Sequence, residues 1–191
     1  MNIILASKSP RRKEILKNIF KDLKIVNPDY NENTIKDKEP ENYCMNIALG
    51  KASSISKIYS QAYIISADTI VYLDENILGK PKNKSEAIEY LSLLSGNQHK
   101  VFTGVAIINA DKKINKVFFD MTLVYFNKLT KQEIEYYINN YHPFDKAGGY
   151  GIQDWSKVFI KKIDGCFYNV VGFPLPKFYK LFNNQFNFIH K

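Results

Sequence analysis

Apolar residues along the chain fall into two patterns: short continuous runs that predict buried strands, and three- and four-residue spacings that predict helices. Residues 2–6, NIILA, are a run of the first kind. Ser9 then precedes Pro10, a serine–proline helix start, and Ile15, Leu16, Ile19 and Phe20 supply an apolar face. Leu23–Val26 predicts a second strand, and residues 27–38 are polar and loop-like. A long helix is predicted from near Pro40 to Tyr59, with Tyr43, Ile47, Ala48, Ala52, Ile55 and Ile58 at apolar spacing. Ala62–Ser66 predicts a strand ending at Ala67-Asp68-Thr69, and Ile70–Leu73 continues extended into a turn at Asp74-Glu75-Asn76. Asn83-Lys84-Ser85-Glu86 resembles a capping box opening a helix to Leu94, and Thr130-Lys131-Gln132-Glu133 is a second one, whose helix ends before Pro143.

Between those helices, Val101–Ile108 and Lys116–Phe126 predict two neighbouring antiparallel strands. Asp145–Gln153 is a glycine-bearing loop, Val158–Ile163 and Cys166–Val171 predict a final hairpin, and a C-terminal helix from Pro174 packs Leu175, Phe178 and Phe182. The order places α/β units first and a more antiparallel half later. The expected fold is α/β, a mixed sheet with flanking helices bent into two lobes around a cleft, as a single domain over residues 1–191.

Composition narrows the class. Hydrophobic residues make up 45%, aromatics 14% and charged residues 24% of 191 residues, globular values that exclude a disordered or collagen-like chain. No apolar run approaches the roughly 18 residues of a membrane span. The start, MNIILASKSPRR, is apolar first and basic after, the reverse of a secretory signal, so a cytoplasmic location is expected. Cys44 and Cys166, with no CxxC and three scattered histidines, exclude a disulfide scaffold and a zinc finger. The formal net charge is +8, and of 27 basic residues only the adjacent Arg11 and Arg12 are arginine. A guanidinium offers a planar fork of donors that an ammonium cannot mimic, so a chain that otherwise uses lysine has a use for forks there. The lysines are dispersed, which suggests an anionic ligand or weak nucleic-acid affinity rather than a basic tail.

The candidate chemistry begins at Ser7-Lys8-Ser9-Pro10-Arg11-Arg12, between a strand end and a helix start. Ligands of open α/β sheets gather there, and helix N-termini offer free N–H groups and a positive dipole end to phosphate. Cations in a first helical turn are unfavourable unless an anion compensates them, which favours a phosphate site over a solvated helix end. Asp68 in Ser66-Ala67-Asp68-Thr69 can hold Mg²⁺ or orient a water, although an Asp-Thr pair also starts ordinary turns. Lys80, between Gly79 and Pro81, is a point charge on a stiffened loop, with a plain surface lysine as the alternative. Glu32 in a polar loop is a second candidate metal carboxylate or simply solvated, and Lys51 within an apolar helical stretch is a snorkelling lysine or a ligand. The segment Asp145-Lys146-Ala147-Gly148-Gly149-Tyr150-Gly151-Ile152-Gln153 lets backbone approach a ligand closely but fits neither GxGxxG nor GxxxxGK[ST]. Cys166 reads as a buried thiol rather than a nucleophile served by His99 or His142, His142 as a helix-end residue, and Trp155 as a lid or interface residue.

In this order and spacing the chain resembles the Maf family of nucleoside-triphosphate pyrophosphatases. The segments that carry the resemblance are Leu5–Arg12, Ala67-Asp68-Thr69, Ile77–Pro81, Leu94-Ser95-Gly96 through Phe102-Thr103-Gly104-Val105, Asp145–Gly148 through Gly151-Ile152-Gln153, and Tyr168–Pro174. The resemblance implies an inosine-triphosphatase-like fold and hydrolysis of a nucleoside triphosphate to monophosphate and pyrophosphate with Mg²⁺ or Mn²⁺. It matches Asp68 to the proton acceptor and Glu32 to a loop carboxylate that helps hold the metal with Asp68. Ser7, Arg11, Arg12, Lys51 and Lys80 match substrate-binding positions, and Arg11, Thr69 and Gln153 match positions linked to base choice. The form Asp-Lys-Ala-Gly-Gly-Tyr-Gly-Ile-Gln resembles the dTTP/UTP subgroup. Three departures stand out: His142 where an acidic residue is common, Gly149 where alanine is common, which should loosen the loop, and Phe173 where leucine is usual.

Two other classes compete with the enzyme. The family has been tied to septum formation and arrest of cell division, which implies a regulatory binding role. A pyrophosphatase for modified nucleotides such as 7-methyl-GTP is the variant within the enzyme class. The +8 charge permits a nucleic-acid-binding module, but RNP, KH and zinc-finger signatures are missing, so no stable nucleic-acid partner is expected. No membrane partner is expected, and the resemblance suggests a homodimer.

Overall fold

The computed structural model describes residues 1–32 and 35–186, so Asn33 and Thr34 of the polar loop lie outside the described residues. The strands are β1 (Ile3–Ala6), β2 (Lys24–Val26), β3 (Tyr63–Leu73), β4 (Asn76–Leu78), β5 (Gln98–Asn109), β6 (Ile114–Phe126) and β7 (Ile160–Asp164). The helices are α1 (Pro10–Lys17), α2 (Pro40–Ser56), α3 (Lys84–Leu94), α4 (Lys131–Tyr141), α5 (Phe167–Val171) and α6 (Leu175–Phe186). The strand order is β2-β1-β3-β5-β6-β7, with β4 also on β3, which makes a mixed sheet with helices beside it, as expected. No described helix is long and apolar enough to cross a membrane.

The chain divides into two compact units. The first comprises Met1–Asp68, Thr103–Asp120 and the segment from Gly172 on, and the second Thr69–Phe102 and Met121–Val171. Strands β3, β5 and β6 each pass from one unit into the other, which is why both are discontinuous in sequence.

In the first unit β1 lies between two parallel partners, with Ile4 opposite Lys24 on β2 and opposite Ile64 on β3. All four β1 residues are buried, the behaviour of a parallel strand covered on both faces, and this is why NIILA reads as an unbroken apolar run. α2 comes close to the sheet by two devices. A Cβ at Gly104 would overlap the backbone of Cys44, and Ser66 Oγ donates to Ala48 O at 2.5 Å. Ala48, Ala52 and Ile55 complete the contact with Ile4, Ala6, Ile64 and Ala106. α6 adds Phe178 and Phe182, which meet Phe20 edge-on at 6.2 and 5.4 Å.

In the second unit β4 folds back on β3, with Val71 opposite Leu78. The turn between them places Asp74 and Glu75 at φ 47° and 64°. α3 and α4 cover a core that includes Val71, Leu91, Leu94, Val101, Val124, Phe126, Tyr137 and Phe159. α4 has the full reciprocal box, with Glu133 N–H donating to Thr130 Oγ1 and Thr130 N–H to Glu133 Oε2. α3 has only half of one. Glu86 N–H donates to Asn83 Oδ1, but the Glu86 carboxylate accepts from Lys82 N–H instead of the cap. α4 ends at His142 in the left-handed conformation, φ 45°, which bears out its reading as a helix-end residue.

Four expectations need correction. Asp68 and Thr69 do not end a strand: β3 runs unbroken through them to Leu73. The hairpin over Val158–Val171 is absent. Asp154 caps a 3₁₀ turn over Trp155–Phe159, so only Ile160–Asp164 pairs with β6. Cys166–Val171 turns into α5 because Cys166 O accepts from Asn169 and Val170 N–H, while Cys166 N–H is held by Thr122 Oγ1. Cys166 is half-exposed and Cys44 is the buried thiol. The alternation of Lys116–Phe126 predicts that most of its aromatic residues are sheet core, but only Thr122, Val124 and Phe126 are buried, while Phe118, Phe119 and Tyr125 are half-buried.

Candidate functional site

The first unit gathers six of the residues singled out above: Ser7, Arg11, Arg12, Glu32, Lys51 and Asp68. Ser7 follows β1 directly and is buried, and its Oγ accepts from Ser9 N–H at 3.2 Å. Ser9 caps α1 by accepting from Arg12 N–H at 3.4 Å, and no acidic residue occupies the first turn of this helix. Arg11 and Arg12 are both half-buried there, so two guanidinium groups stand at the positive end of a helix dipole. Arg12 is oriented by Nε donating to Gly172 O at 2.8 Å, a bond an ammonium at that reach could not duplicate with the same fork. Burial lowers its pKa, Asp68 opposes that, Arg11 adds to it and Glu32 opposes it. It stays charged, and its fields come from this same cluster.

The centre of the cluster is Lys51. It lies on α2 and is 8% exposed, as is Asp68 on β3. Its Nζ donates to Asp68 Oδ1 at 2.7 Å and lies 2.8 Å from Glu32 Oε1. An unneutralised buried ammonium would be costly, so this lysine does not snorkel: two carboxylates hold it in place. Glu32 reaches it from the polar loop, whose Tyr30 ring occupies the space where a Cβ at Gly50 would be. Glycine beside Lys51 therefore lets the loop seat against α2. Desolvation raises the Asp68 pKa above the ordinary carboxylate value, Lys51 and Arg12 work against it, and Glu32 adds to it. A carboxylate so placed is a better proton acceptor than one in water.

Tyr43 was read from sequence only as an apolar helix position. Its pKa is raised by burial first and then by Asp68 and Glu32, so its hydroxyl lies within the field of both carboxylates. The signal for it was present: Tyr43, Ile47 and Lys51 repeat every four residues and share one face of α2. The Cys44 thiol is pushed up to about 12 by burial and by Asp68, which makes it inert.

The donor set can be tested against a divalent metal. Among the described residues there is no group of three or more His, Cys, Asp or Glu that could hold an ion. Mg²⁺, however, is often bound by one or two carboxylates together with substrate phosphates. Asp68 and Glu32, converging on one cation position, fit that shared mode and not an all-protein cage.

Thr69, Lys80 and Gln153 belong to the second unit. Thr69 is half-buried on β3, and Lys80 is exposed just after β4. The neighbouring Gly79 O accepts from Gly148 N–H at 2.9 Å, which ties the lysine's loop to the glycine loop. Gly148 has φ 66° and would bring a Cβ within 2.8 Å of Val71, so no other residue suits it. Gln153 is exposed and lines a concavity of about 540 Å³ with Ile152, Lys157, Ile160 and Phe167. His99 and Trp155 are structural. His99 Nε2 shares a 2.7 Å hydrogen bond with the Tyr150 hydroxyl, and Trp155 stacks on Tyr137 and Tyr141.

Comparison with known proteins places the whole chain. The chain is 51% identical over 183 residues, 92% of this chain and 93% of its counterpart, to a dTTP/UTP pyrophosphatase of Clostridium botulinum (strain 657 / Type Ba4). It is 45% identical over 186 residues, 96% and 97% of the two chains, to the dTTP/UTP pyrophosphatase of Clostridium perfringens (strain 13 / Type A). The solved structure of the Staphylococcus aureus Ham1 protein is similar with a TM-score of 0.47 and 18% identity, over 66% of this chain and 72% of that one. The model of the Maf-like protein family matches residues 2–185, nearly everything from β1 to the end of α6, and the chain belongs to that family.

Proposed function

We propose that this protein hydrolyses nucleoside triphosphates, dTTP and UTP above others, to the monophosphate and pyrophosphate. One observation carries the reading: Asp68, Glu32 and Lys51 converge within 2.8 Å contacts, in the field of Arg12 at the N-terminus of α1. The names of relatives that share half of this sequence support the choice of substrate.

In this reading the N–H groups of α1, with Ser7, Arg11 and Arg12, hold the phosphate chain, and Lys80 adds a point charge. A divalent metal, Mg²⁺ or Mn²⁺, would be held by Asp68 and Glu32 and would neutralise phosphate charge when bound. Asp68 takes the proton of the attacking water. The water oxygen bonds to phosphorus, the bond to the bridging oxygen between the α- and β-phosphates breaks, and pyrophosphate leaves. Lys51 keeps Asp68 ionised before attack and steadies the developing charge, which is electrostatic positioning rather than covalent chemistry. Thr69 and Gln153 serve base choice. The enzyme works in the cytoplasm, as a homodimer, and needs no nucleic-acid or membrane partner.

The deciding experiment incubates the protein with each common and modified nucleoside triphosphate, with Mg²⁺, Mn²⁺ or chelator, and measures pyrophosphate. Metal-dependent release from dTTP and UTP is expected. Preference for GTP, 7-methyl-GTP or ITP would overturn the substrate choice, and no turnover of any would overturn the activity.

A further inference from the structure

The turn that carries Gln153 is held by a hydrogen-bond hub with no part in the phosphate chemistry. Asp154 N–H donates to Gly151 O at 3.1 Å and closes a four-residue turn, with Ile152 and Gln153 at its centre. Ile152 is buried while Gln153 is exposed, so the turn is anchored at one central residue and presents the other. Ser156 is fully buried and grips Gly151 on both polar groups: its Oγ accepts from Gly151 N–H at 3.0 Å and lies 2.8 Å from Gly151 O. Asp154 Oδ1 accepts from Ser156 N–H at 3.0 Å and lies 2.9 Å from its hydroxyl. Asp154 Oδ2 accepts from the Tyr137 hydroxyl at 3.1 Å and stands 3.7 Å from Lys146 Nζ. A Cβ at Gly151 would come within 2.8 Å of Asp154 Oδ2 and of the Lys146 chain, so the hub closes tightly around a glycine.

We propose that Ser156, with Asp154 and Tyr137, is a positioning device for base selection: it fixes the backbone from which Gln153 meets the base. The proposal rests on the reading that Gln153 contacts the base. A glutamine amide carries both a donor and an acceptor and can rotate to match uracil or cytosine, so its type alone does not discriminate. Discrimination requires a fixed approach, and a turn clamped on both polar groups of Gly151 supplies one. Gly151 lies two positions before Gln153, Asp154 one position after it and Ser156 three after it.

The test compares kcat/KM for UTP and CTP in Gln153→Ala, Ser156→Ala, Tyr137→Phe and the Gln153→Ala/Ser156→Ala double variant, with thermal melts alongside. Gln153→Ala should erase most of the UTP preference. Ser156→Ala should lower the UTP:CTP ratio roughly tenfold, the equivalent of one lost hydrogen bond, mainly through KM, and add nothing in the double variant. Tyr137→Phe, which leaves the clamp on Gly151 intact, should lower the ratio less and decides the matter if Ser156→Ala does not fold. An unchanged ratio in Gln153→Ala overturns the base-contact reading and this proposal with it. A ratio that falls in Gln153→Ala but stays at the parental value in folded Ser156→Ala and Tyr137→Phe overturns the positioning role alone.

Discussion

In the first unit the cluster around Lys51 buries ionised groups. Lys51 and Asp68 are both 8% exposed, with Glu32 on the same ammonium. In the second unit the buried polar side chains among the described residues are neutral: His99, Thr122, Ser156 and Asn169. They bond to backbone, to one another or to neighbouring side chains: His99 to the Tyr150 hydroxyl, Ser156 to Gly151 and Asp154, and Asn169 by donating to Val101 O at 3.0 Å and Thr122 Oγ1 at 3.1 Å. Charges are costly to desolvate and are weak evidence of a stabilising design. Neutral networks cost less and specify shape. The first unit thus carries buried charge as ion pairs, and the second buries polar groups that are neutral.

Asp68→Asn should break this contrast most severely. It keeps the shape of the side chain but removes the charge that accepts a proton, so pyrophosphate release should fall by about 10²–10⁴-fold. A thermal melt should show the fold retained, since Lys51 keeps Glu32. Near-parental turnover in the variant would remove Asp68 from the mechanism.

Replacing a fork by a point charge is the next largest change. Arg11→Lys and Arg12→Lys conserve charge, and each should cost roughly 1.5–3 kcal/mol of transition-state stabilisation. Arg12→Lys should be the worse of the two, because it also removes the bond to Gly172 O. Steady-state kinetics on UTP decide it, and parental values in both variants would remove the two forks from the mechanism.

The neutral unit can be probed by pH. Burial lowers the His99 pKa from 6.5 to about 3. Between those values the unfolded chain binds the proton and the native state does not, so this contribution to stability is complete above about pH 6.5 and is lost as pH falls towards 3. The slope is about 1.4 kcal/mol per pH unit for one proton. Urea unfolding from pH 7 to 4 should show that component in the parent and lack it in a His99→Phe/Tyr150→Phe double variant. Parallel pH dependences would mean that His99 titrates as though exposed.

The smallest effect should come from Thr130→Ala, which removes the reciprocal cap of α4. A loss of about 1 kcal/mol is expected in a thermal melt, with turnover unchanged. Altered kcat would show that α4 is coupled to the chemistry.

Much of the site was legible because its signals are local. Ser9-Pro10 announced the capped start of α1 and with it the place of the paired arginines in its first turn, since capping acts within one turn. Tyr43 was missed for the opposite reason: its helical spacing resembles core packing until the carboxylates whose field it feels are placed.

What the sequence by itself determined was therefore the short-range structure and the inventory of charges: the all-apolar β1, the capped starts of α1 and α4, two arginines among lysines, and a glycine loop ending in Gln153. Tertiary structure alone decided what depends on residues distant in the chain. It brought Glu32 and Asp68 to the same ammonium across 19 and 17 positions. It also turned the strand-like Cys166–Val171 into a helix, because Thr122, 44 residues away, holds both polar backbone groups of Cys166. Propensity is worth tenths of a kcal/mol per residue, whereas a buried polar group left without a partner costs about 1–3 kcal/mol, so the distant partner wins.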